Sequence, residues 1–235
     1  MIRIGVTGTD TGVGKTVVTC ALAAALRRRG LRVAATKPVE SGAAFDDPQR
    51  DGCRLRAASG DLRPLSLTAP IAFAEAVAPL VAARHAGTVI DLDRLDRAIR
   101  DASRDRDVLL VEGAGGLLVP LTEHVSYDAL FARWRLDLVI VAANRLGVIN
   151  HVRLTLAAAR AAGLTTRAVV LNELTTNPLD PSIASNAHVI AELERIPVAE
   201  LPWMPRLDDL EAAAELAERC GLVELVAPGS RATPV

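Results

Sequence analysis

Lysine is almost missing from this chain. Among 27 basic residues the only lysines are Lys15 and Lys37; every other basic position is arginine. A surface that needs only positive charge is served here by Arg, so the two lysines call for a reason that a planar guanidinium does not meet. A compact ammonium with three donors fits among clustered oxygens where a fork does not. Aromatic residues are also scarce, at 3%. The core must therefore be built from Ala, Val, Leu and Ile, which suits parallel strands under Ala-rich helices. The three cysteines, Cys20, Cys53 and Cys220, are scattered and odd in number. They exclude a disulfide frame or a cysteine metal site and read as reduced thiols. No apolar run approaches the ~20 residues that span a bilayer. A formal net charge of -1 argues against a general nucleic-acid surface. The first residues run straight into a strand pattern, without a signal peptide, so the expected location is the cytoplasm.

What is present is concentrated in one stretch. Ile2 to Thr7 is an apolar run that reads as a buried strand. Gly8-Thr9-Asp10-Thr11-Gly12-Val13-Gly14-Lys15-Thr16 follows, and then a helix through Leu26 with Val18, Leu22 and Ala25 at helical spacing. A strand, a Gly-rich turn and a helix opening on Gly-Lys-Thr aim backbone N–H groups and a positive helix end at one point, as a triphosphate requires. Lys15 would reach the β- and γ-phosphates, and the Thr16 hydroxyl would ligate Mg²⁺. The regular phosphate loop has Gly where Thr9 stands; here that Gly comes one residue earlier, at Gly8. A ligand-free glycine turn would leave three glycines and a lysine without a purpose.

At 235 residues the chain is read as one domain over 1–226, with a disordered tail from Ala227. Arg32 to Lys37 predicts a second strand, ended by Pro38 and lying beside the phosphate loop. Val39 to Gly42 is expected to turn away, and Ala43 to Arg50 reads as a polar loop. A short helix is expected over Cys53 to Ala58, an irregular stretch over Pro64 to Pro70, and a helix over Phe73 to Ala86 interrupted by Pro79. A further helix, capped by Asp91, covers Asp91 to Asp101. Asp107 to Glu112 is an apolar strand ending in an acid, which places a carboxylate near a nucleotide's Mg²⁺. Strands at Leu136 to Ala143, Arg167 to Asn172 and Ile196 to Leu201 alternate with helices at Asn150 to Ala162, Ile183 to Arg195 and Leu210 to Cys220. This alternation predicts an α/β fold of the phosphate-loop NTPase type: a single doubly wound domain, mostly parallel sheet with helices on both faces, and ligands at the C-terminal strand ends.

Several motifs together resemble one family, the ATP-dependent dethiobiotin synthetases of biotin synthesis. They are Val6 to Thr16, Lys37-Pro38-Val39-Glu40-Ser41-Gly42, Val111-Glu112-Gly113-Ala114-Gly115-Gly116, Leu146-Gly147-Val148-Ile149-Asn150-His151, Asn172 and Pro202-Trp203. The resemblance implies a homodimeric ligase with ATP, Mg²⁺, CO₂ and 7,8-diaminopelargonic acid as its small-molecule partners. One amine takes up CO₂ as a carbamate, whose oxygen attacks the γ-phosphate. The second amine then closes the ureido ring, and phosphate leaves. Lys15 and Lys37 are the expected catalytic cations, with Lys37 bridging carbamate and γ-phosphate. Thr16, Asp51 and Glu112 are the expected metal ligands.

The expected nucleotide contacts are Gly12, Val13, Gly14, Lys15, Thr16, Val17, Asp51, Glu112, Gly113, Ala114, Gly115, Asn172, Glu173 and Asp209, with Pro202, Trp203 and Met204 covering the base in a turn that runs to Pro205. Thr11, Lys37, Ser41, Gly115 and Gly116 would hold the reacting end of the substrate. Gly147, Val148 and Asn150, at a helix N-terminus of the partner subunit, would hold its distant carboxylate. Gly12 stands where many members carry a side chain, and Arg145 where some have Lys.

Other candidates have plainer readings. Cys20 packs in the first helix, and Arg27 to Arg29 is a solvated helix end. His85, His124 and His188 share no metal-ligand spacing, and His151 and Trp203 are open to packing roles. Two competing functions use the same loop. A partition or targeting ATPase needs a lysine five residues before Lys15, where Asp10 stands. A cobyrinic-acid-type amidotransferase needs an attached glutaminase with a nucleophilic Cys.

Overall fold

A computed structural model describes residues 1–176, 179–204 and 209–229. In order, the elements are β1 (Ile2–Gly8), α1 (Lys15–Arg28), β2 (Val33–Thr36), β3 (Val39–Ser41), α2 (Asp51–Ser59), α3 (Leu65–Thr68), β4 (Ile71–Phe73), α4 (Pro79–His85) and α5 (Leu92–Ser103). They continue with β5 (Val108–Gly116), α6 (Tyr127–Arg133), β6 (Asp137–Ala143), α7 (Val148–Ala161), β7 (Thr166–Asn172), α8 (Ile183–Glu194), β8 (Val198–Leu201), α9 (Leu210–Arg219) and α10 (Leu222–Val226). Six strands form one parallel sheet in the order β2-β5-β1-β6-β7-β8.

The strands are apolar on both faces, and each face has its own helices. Val33, Ala35, Val108, Leu110, Val139 and Val141 point toward α1, α2, α9 and α10. Their neighbours Ala34, Leu109, Val111 and Leu138 point the other way, toward α5 and α6. Ile140, Ala142, Val169 and Leu171 are covered by α7 and α8. This is the period-2 alternation of a strand, with both faces buried as a parallel sheet demands. The expected doubly wound α/β architecture is therefore observed.

The structure corrects several local expectations. β2 does not adjoin the phosphate-loop strand, because β5 lies between them. Lys37 reaches the loop only because β2 and β5 run in register, with Thr36 beside Val111, so that Lys37 falls alongside Glu112. Val39 to Ser41 is not a turn but β3, which pairs in parallel with β4 in a small second sheet. The helix expected over Phe73 to Ala86 is β4, a short connection and then α4. Pro79 starts that helix and does not interrupt it, since its missing N–H is no loss in the first turn. Pro64 to Pro70 contains α3. Helices α6 and α10 carry no clear signal in the sequence. Tyr127, Phe131 and Trp134 cluster on and beside α6. Phe131 packs so closely over Gly5 that a Cβ there would lie 2.9 Å from its ring. Ala227, the first residue of the expected tail, is buried in the core; the tail from 230 onward lies outside the described residues, as does Pro205. Among the described residues no helix is long and apolar enough to cross a membrane.

Candidate active site

β1 ends at Gly8, and the loop from Thr9 to Gly14 delivers the chain into α1. Gly14 is the helix N-cap, with φ +93°. That conformation favours glycine, and the space confirms it: a Cβ would lie 2.0 Å from the Asn172 side-chain amide. That amide donates to the Val13 carbonyl at 3.1 Å, tying β7 to the loop. Gly8 explains the displaced glycine of the motif. The Asp10 carbonyl and the Lys15 ammonium pack against it, and a Cβ would meet them at 2.8 and 2.9 Å. Lys15 Nζ donates to the Asp10 carbonyl at 2.9 Å, holding the loop curled. No side chain caps α1, and its first turn carries no acid. Its N–H groups therefore remain available to an anion.

Lys15 is buried, and burial draws its ammonium down to about 8, with Glu112 opposing the shift and Lys37 adding to it. Lys37 goes the other way. Burial works against its charge, but Glu112 and Asp51 outweigh it and raise the ammonium above its ordinary value. Lys37 Nζ donates to Asp51 Oδ2 at 2.5 Å and to Glu112 Oε1 at 2.9 Å. Burial tends to raise the Asp51 carboxyl, yet Lys37 holds it below the usual carboxylate range, with Thr16 and Arg54 contributing. The Thr16 hydroxyl donates to Glu112 Oε1 at 2.8 Å. Glu112 is 0% exposed, and its second oxygen, Oε2, has no hydrogen-bond partner. Among the described residues no three His, Cys, Asp or Glu side chains gather as a metal site. The oxygen groups here are instead two carboxylates linked through Lys37 and a hydroxyl bonded to Glu112 Oε1, with Glu112 Oε2 left unpartnered, a donor set that suits a hard cation such as Mg²⁺.

Glu112 itself lies sealed behind the wall, while the other groups open into a cavity of about 530 Å³ lined by Thr11, Gly12, Gly14, Lys15, Thr16, Val17, Lys37, Ser41, Asp51, Ala114 and Gly115. The structure thus gathers most of the expected site. It adds Arg54, Val77, Pro79 and Val119 to the walls, which no motif signalled. Gly113 faces away from it, against Tyr127 and Phe131, and Gly116 lies on the Gly8 carbonyl. Glu173 lines a separate hollow of about 270 Å³ with Asn144, Arg145 and Asp180. Asp209 caps α9 by accepting from the Ala212 N–H at 3.0 Å, a structural task. Pro202, Trp203 and Met204 follow β8, and Trp203 is exposed. Gly147, Val148 and Asn150 form the start of α7 and do not line the Lys37 cavity of their own chain.

A parallel sheet with a lysine-bearing glycine loop at the C-terminal end of a central strand defines a phosphate-loop nucleotide-binding protein. A family profile described as an AAA domain matches residues 3–211. The ATP-dependent dethiobiotin synthetase of Anaeromyxobacter dehalogenans is 46% identical over 202 residues, covering 85% of this chain and 89% of that protein. The enzyme of that name from Aquifex aeolicus is 36% identical over 233 residues, covering 99% of this chain and 100% of that protein. The chain belongs to the ATP-dependent dethiobiotin synthetase family.

Solved structures carry the same fold at low identity. The septum site-determining protein MinD of Pyrococcus horikoshii, complexed with Mg-ADP, aligns at TM-score 0.51 and 16% identity over 93% of this chain and 96% of that one. The MinC:MinD cell division complex of Aquifex aeolicus gives 0.54 at 15% identity, over 100% of this chain and 98% of that one. The partition-ATPase reading gains nothing from this likeness beyond the fold. The position that would carry its signature lysine is Asp10, whose carboxylate accepts from the Thr11 N–H at 2.7 Å.

Proposed function

We infer that this chain is a dethiobiotin synthetase: it uses ATP to carboxylate 7,8-diaminopelargonic acid with CO₂ and close the ureido ring, giving dethiobiotin, ADP and phosphate. The observation that carries the reading is Lys37, a buried ammonium held at the mouth of the phosphate loop by Asp51 and Glu112 and facing the same cavity as Ser41 and Thr11. The loop N–H groups and Lys15 would bind the β- and γ-phosphates. Ser41 and Thr11 would hydrogen-bond the polar head of the substrate. Lys37 would stabilise the negative charge that moves from carbamate oxygen to phosphate as the mixed anhydride forms, the main help that phosphoryl transfer needs. The second amine attacks the carbonyl carbon, the carbon–oxygen bond to phosphate breaks, and phosphate leaves with the former carbamate oxygen. Thr16, Asp51 and Glu112 would hold Mg²⁺, which neutralises phosphate charge when bound.

The competing classes separate in one assay. ATP hydrolysis by the purified protein should rise on adding diaminopelargonate with bicarbonate. DNA, lipid vesicles or glutamine should leave it unchanged. Stimulation by any of those three, without a response to the diamine, would move the protein out of biosynthesis.

Two further expectations arise here. Glu112→Gln should raise the Mg²⁺ concentration needed for half-maximal turnover by about 10-fold or more, since removing even a partner that only orients a metal ligand costs about 10–100-fold. An unchanged Mg²⁺ titration would remove Glu112 from the metal shell. The second concerns assembly. Because Gly147, Val148 and Asn150 do not reach the cavity of their own chain, their role toward the substrate carboxylate requires a second subunit. The protein should sediment as a homodimer, and a fully active monomer would take this helix out of the substrate site. We place the enzyme in the cytoplasm, in keeping with its soluble substrates.

A further inference from the structure

Arg50 is the largest fully buried side chain among the described residues, 1% exposed, and it does not line the Lys37 cavity. It ends the polar loop from Ala43 and stands as the N-cap of α2, where its own side chain offers no cap. The first N–H groups of a helix need acceptors. Here they come from another element. Glu40 of β3, 3% exposed, accepts from the Asp51 N–H at 2.6 Å through Oε1 and from the Gly52 N–H at 3.3 Å through Oε2.

The buried carboxylate is matched in charge by Arg50, whose Nε lies 3.2 Å from Glu40 Oε2 as an ion pair without hydrogen-bond geometry. The rest of the guanidinium is spent on carbonyls: Nη1 donates to Phe45 at 3.0 Å and Nη2 to Ala69 at 2.6 Å. The guanidinium carbon also lies 4.7 Å from the centre of the Phe45 ring. The packing has no slack, since a Cβ on Gly52 would come within 2.4 Å of Ala69 Cβ. The residue so fixed is Asp51, whose side chain reaches Lys37. Asp51 is thus held twice by one segment, through its carboxylate by Lys37 and through its backbone by Glu40 three residues later.

We propose that the buried Glu40–Arg50 pair is a positioning device for the metal-binding carboxylate: Glu40 caps α2 and Arg50 fixes Glu40, so that Asp51 is presented to the cation shared with Thr16 and Glu112. The inference rests on the reading of Asp51 as a Mg²⁺ ligand. Glu40 and Arg50 are positioning residues and touch neither nucleotide nor substrate. Partners that orient metal ligands typically change metal affinity by about 10–100-fold when removed.

The test is Glu40→Gln, which keeps shape and one acceptor but replaces the other with an N–H donor. Mn²⁺ binding to the ADP-loaded dimer, followed by electron paramagnetic resonance, should weaken by about 10-fold. ADP binding in EDTA should stay within about two-fold of the wild type, because the phosphate loop does not contact Glu40. Arg50→Lys, which keeps the charge and loses the fork, should shift Mn²⁺ binding in the same direction by a smaller factor. If Glu40→Gln does not fold, Arg50→Lys alone decides. A variant with a lowered melting temperature but wild-type Mn²⁺ affinity would overturn the proposal and leave the pair as packing. Failure of the wild type to bind ADP would instead overturn the nucleotide-site reading. Wild-type Mn²⁺ binding that Asp51→Asn leaves unchanged would overturn the Asp51 assignment, and this inference with it.

Discussion

Lys15→Ala should abolish turnover, with a fall of about 10³-fold or more in kcat/KM and no loss of fold. The scale is at least that of one lost electrostatic donor at a developing charge. This ammonium also belongs to the loop that binds the triphosphate, so ground-state affinity for ATP should fall as well. Retention of the fold follows from how little the ammonium holds together. The Lys15 ammonium makes one hydrogen bond, to the Asp10 carbonyl in an exposed turn that water can reach. Its ammonium is drawn down to about 8 by burial, against an ordinary value of 10.5. A lysine whose folded value is lowered carries its penalty while charged. The penalty is present in full below about pH 8 and is relieved as pH rises toward 10.5. Removing the amine at pH 7 should therefore leave the melting temperature of the nucleotide-free protein unchanged or slightly raised. Circular dichroism melting and steady-state kinetics check both halves. Normal turnover in the variant would refute the phosphate-loop assignment.

Lys37 should behave differently on both counts. In the proposed mechanism its help would be larger in the transition state than in the ground state, because charge is redistributed only as the anhydride forms. Lys37→Gln should lower kcat by about 10²–10³, with smaller changes in either KM. Lys37 also separates two carboxylates, one of them fully buried. Taking the cation from a buried pair is strongly destabilising, by about 3–5 kcal/mol, and the partial exposure of Asp51 reduces that figure. The nucleotide-free variant should melt lower than the wild type, and Mg²⁺ with ADP should restore much of the difference by supplying a cation to the same oxygens. Lys37→Arg should rescue kcat poorly although it keeps the charge. The ammonium occupies one point within 2.9 Å of two carboxylates, and a planar fork cannot take that place. Full activity in Lys37→Arg would show that any positive charge suffices, and the scarcity of lysine elsewhere would be coincidence.

Much of this site was legible in the sequence because its parts are local. Gly8 to Thr16 is one strand–turn–helix unit. Glu112 ends an apolar strand, and the rarity of lysine singled out Lys37. What the sequence could not convey depends on strand order and on partners far along the chain. The insertion of β5 between β1 and β2 leaves no local trace, so the sequence puts Lys37 beside the loop, whereas it lies across the end of β5. β3 and β4 are three residues each and pair only with one another, too short for a periodic signal. Helix α6 was missed because seven residues with three aromatics in and beside them show no clear helical stripe. Arg50 closes a stretch that looks like a solvated polar loop. Only the tertiary contacts with Glu40, Phe45 and Ala69 bury it. Asp209, which the resemblance places at the nucleotide, also caps α9, a task that shows only once the helix bounds are known.

The phosphate-loop site is proposed to join CO₂ to a diamine through a carbamate activated by ATP. The most direct measurement follows the oxygen. Purified protein is given 7,8-diaminopelargonic acid, Mg²⁺-ATP and bicarbonate labelled with oxygen-18, and the products are read by mass spectrometry. Dethiobiotin should form in step with ADP, and the phosphate released should carry one labelled oxygen taken from the carbamate. ATP hydrolysis that yields only unlabelled phosphate and no dethiobiotin would contradict the account.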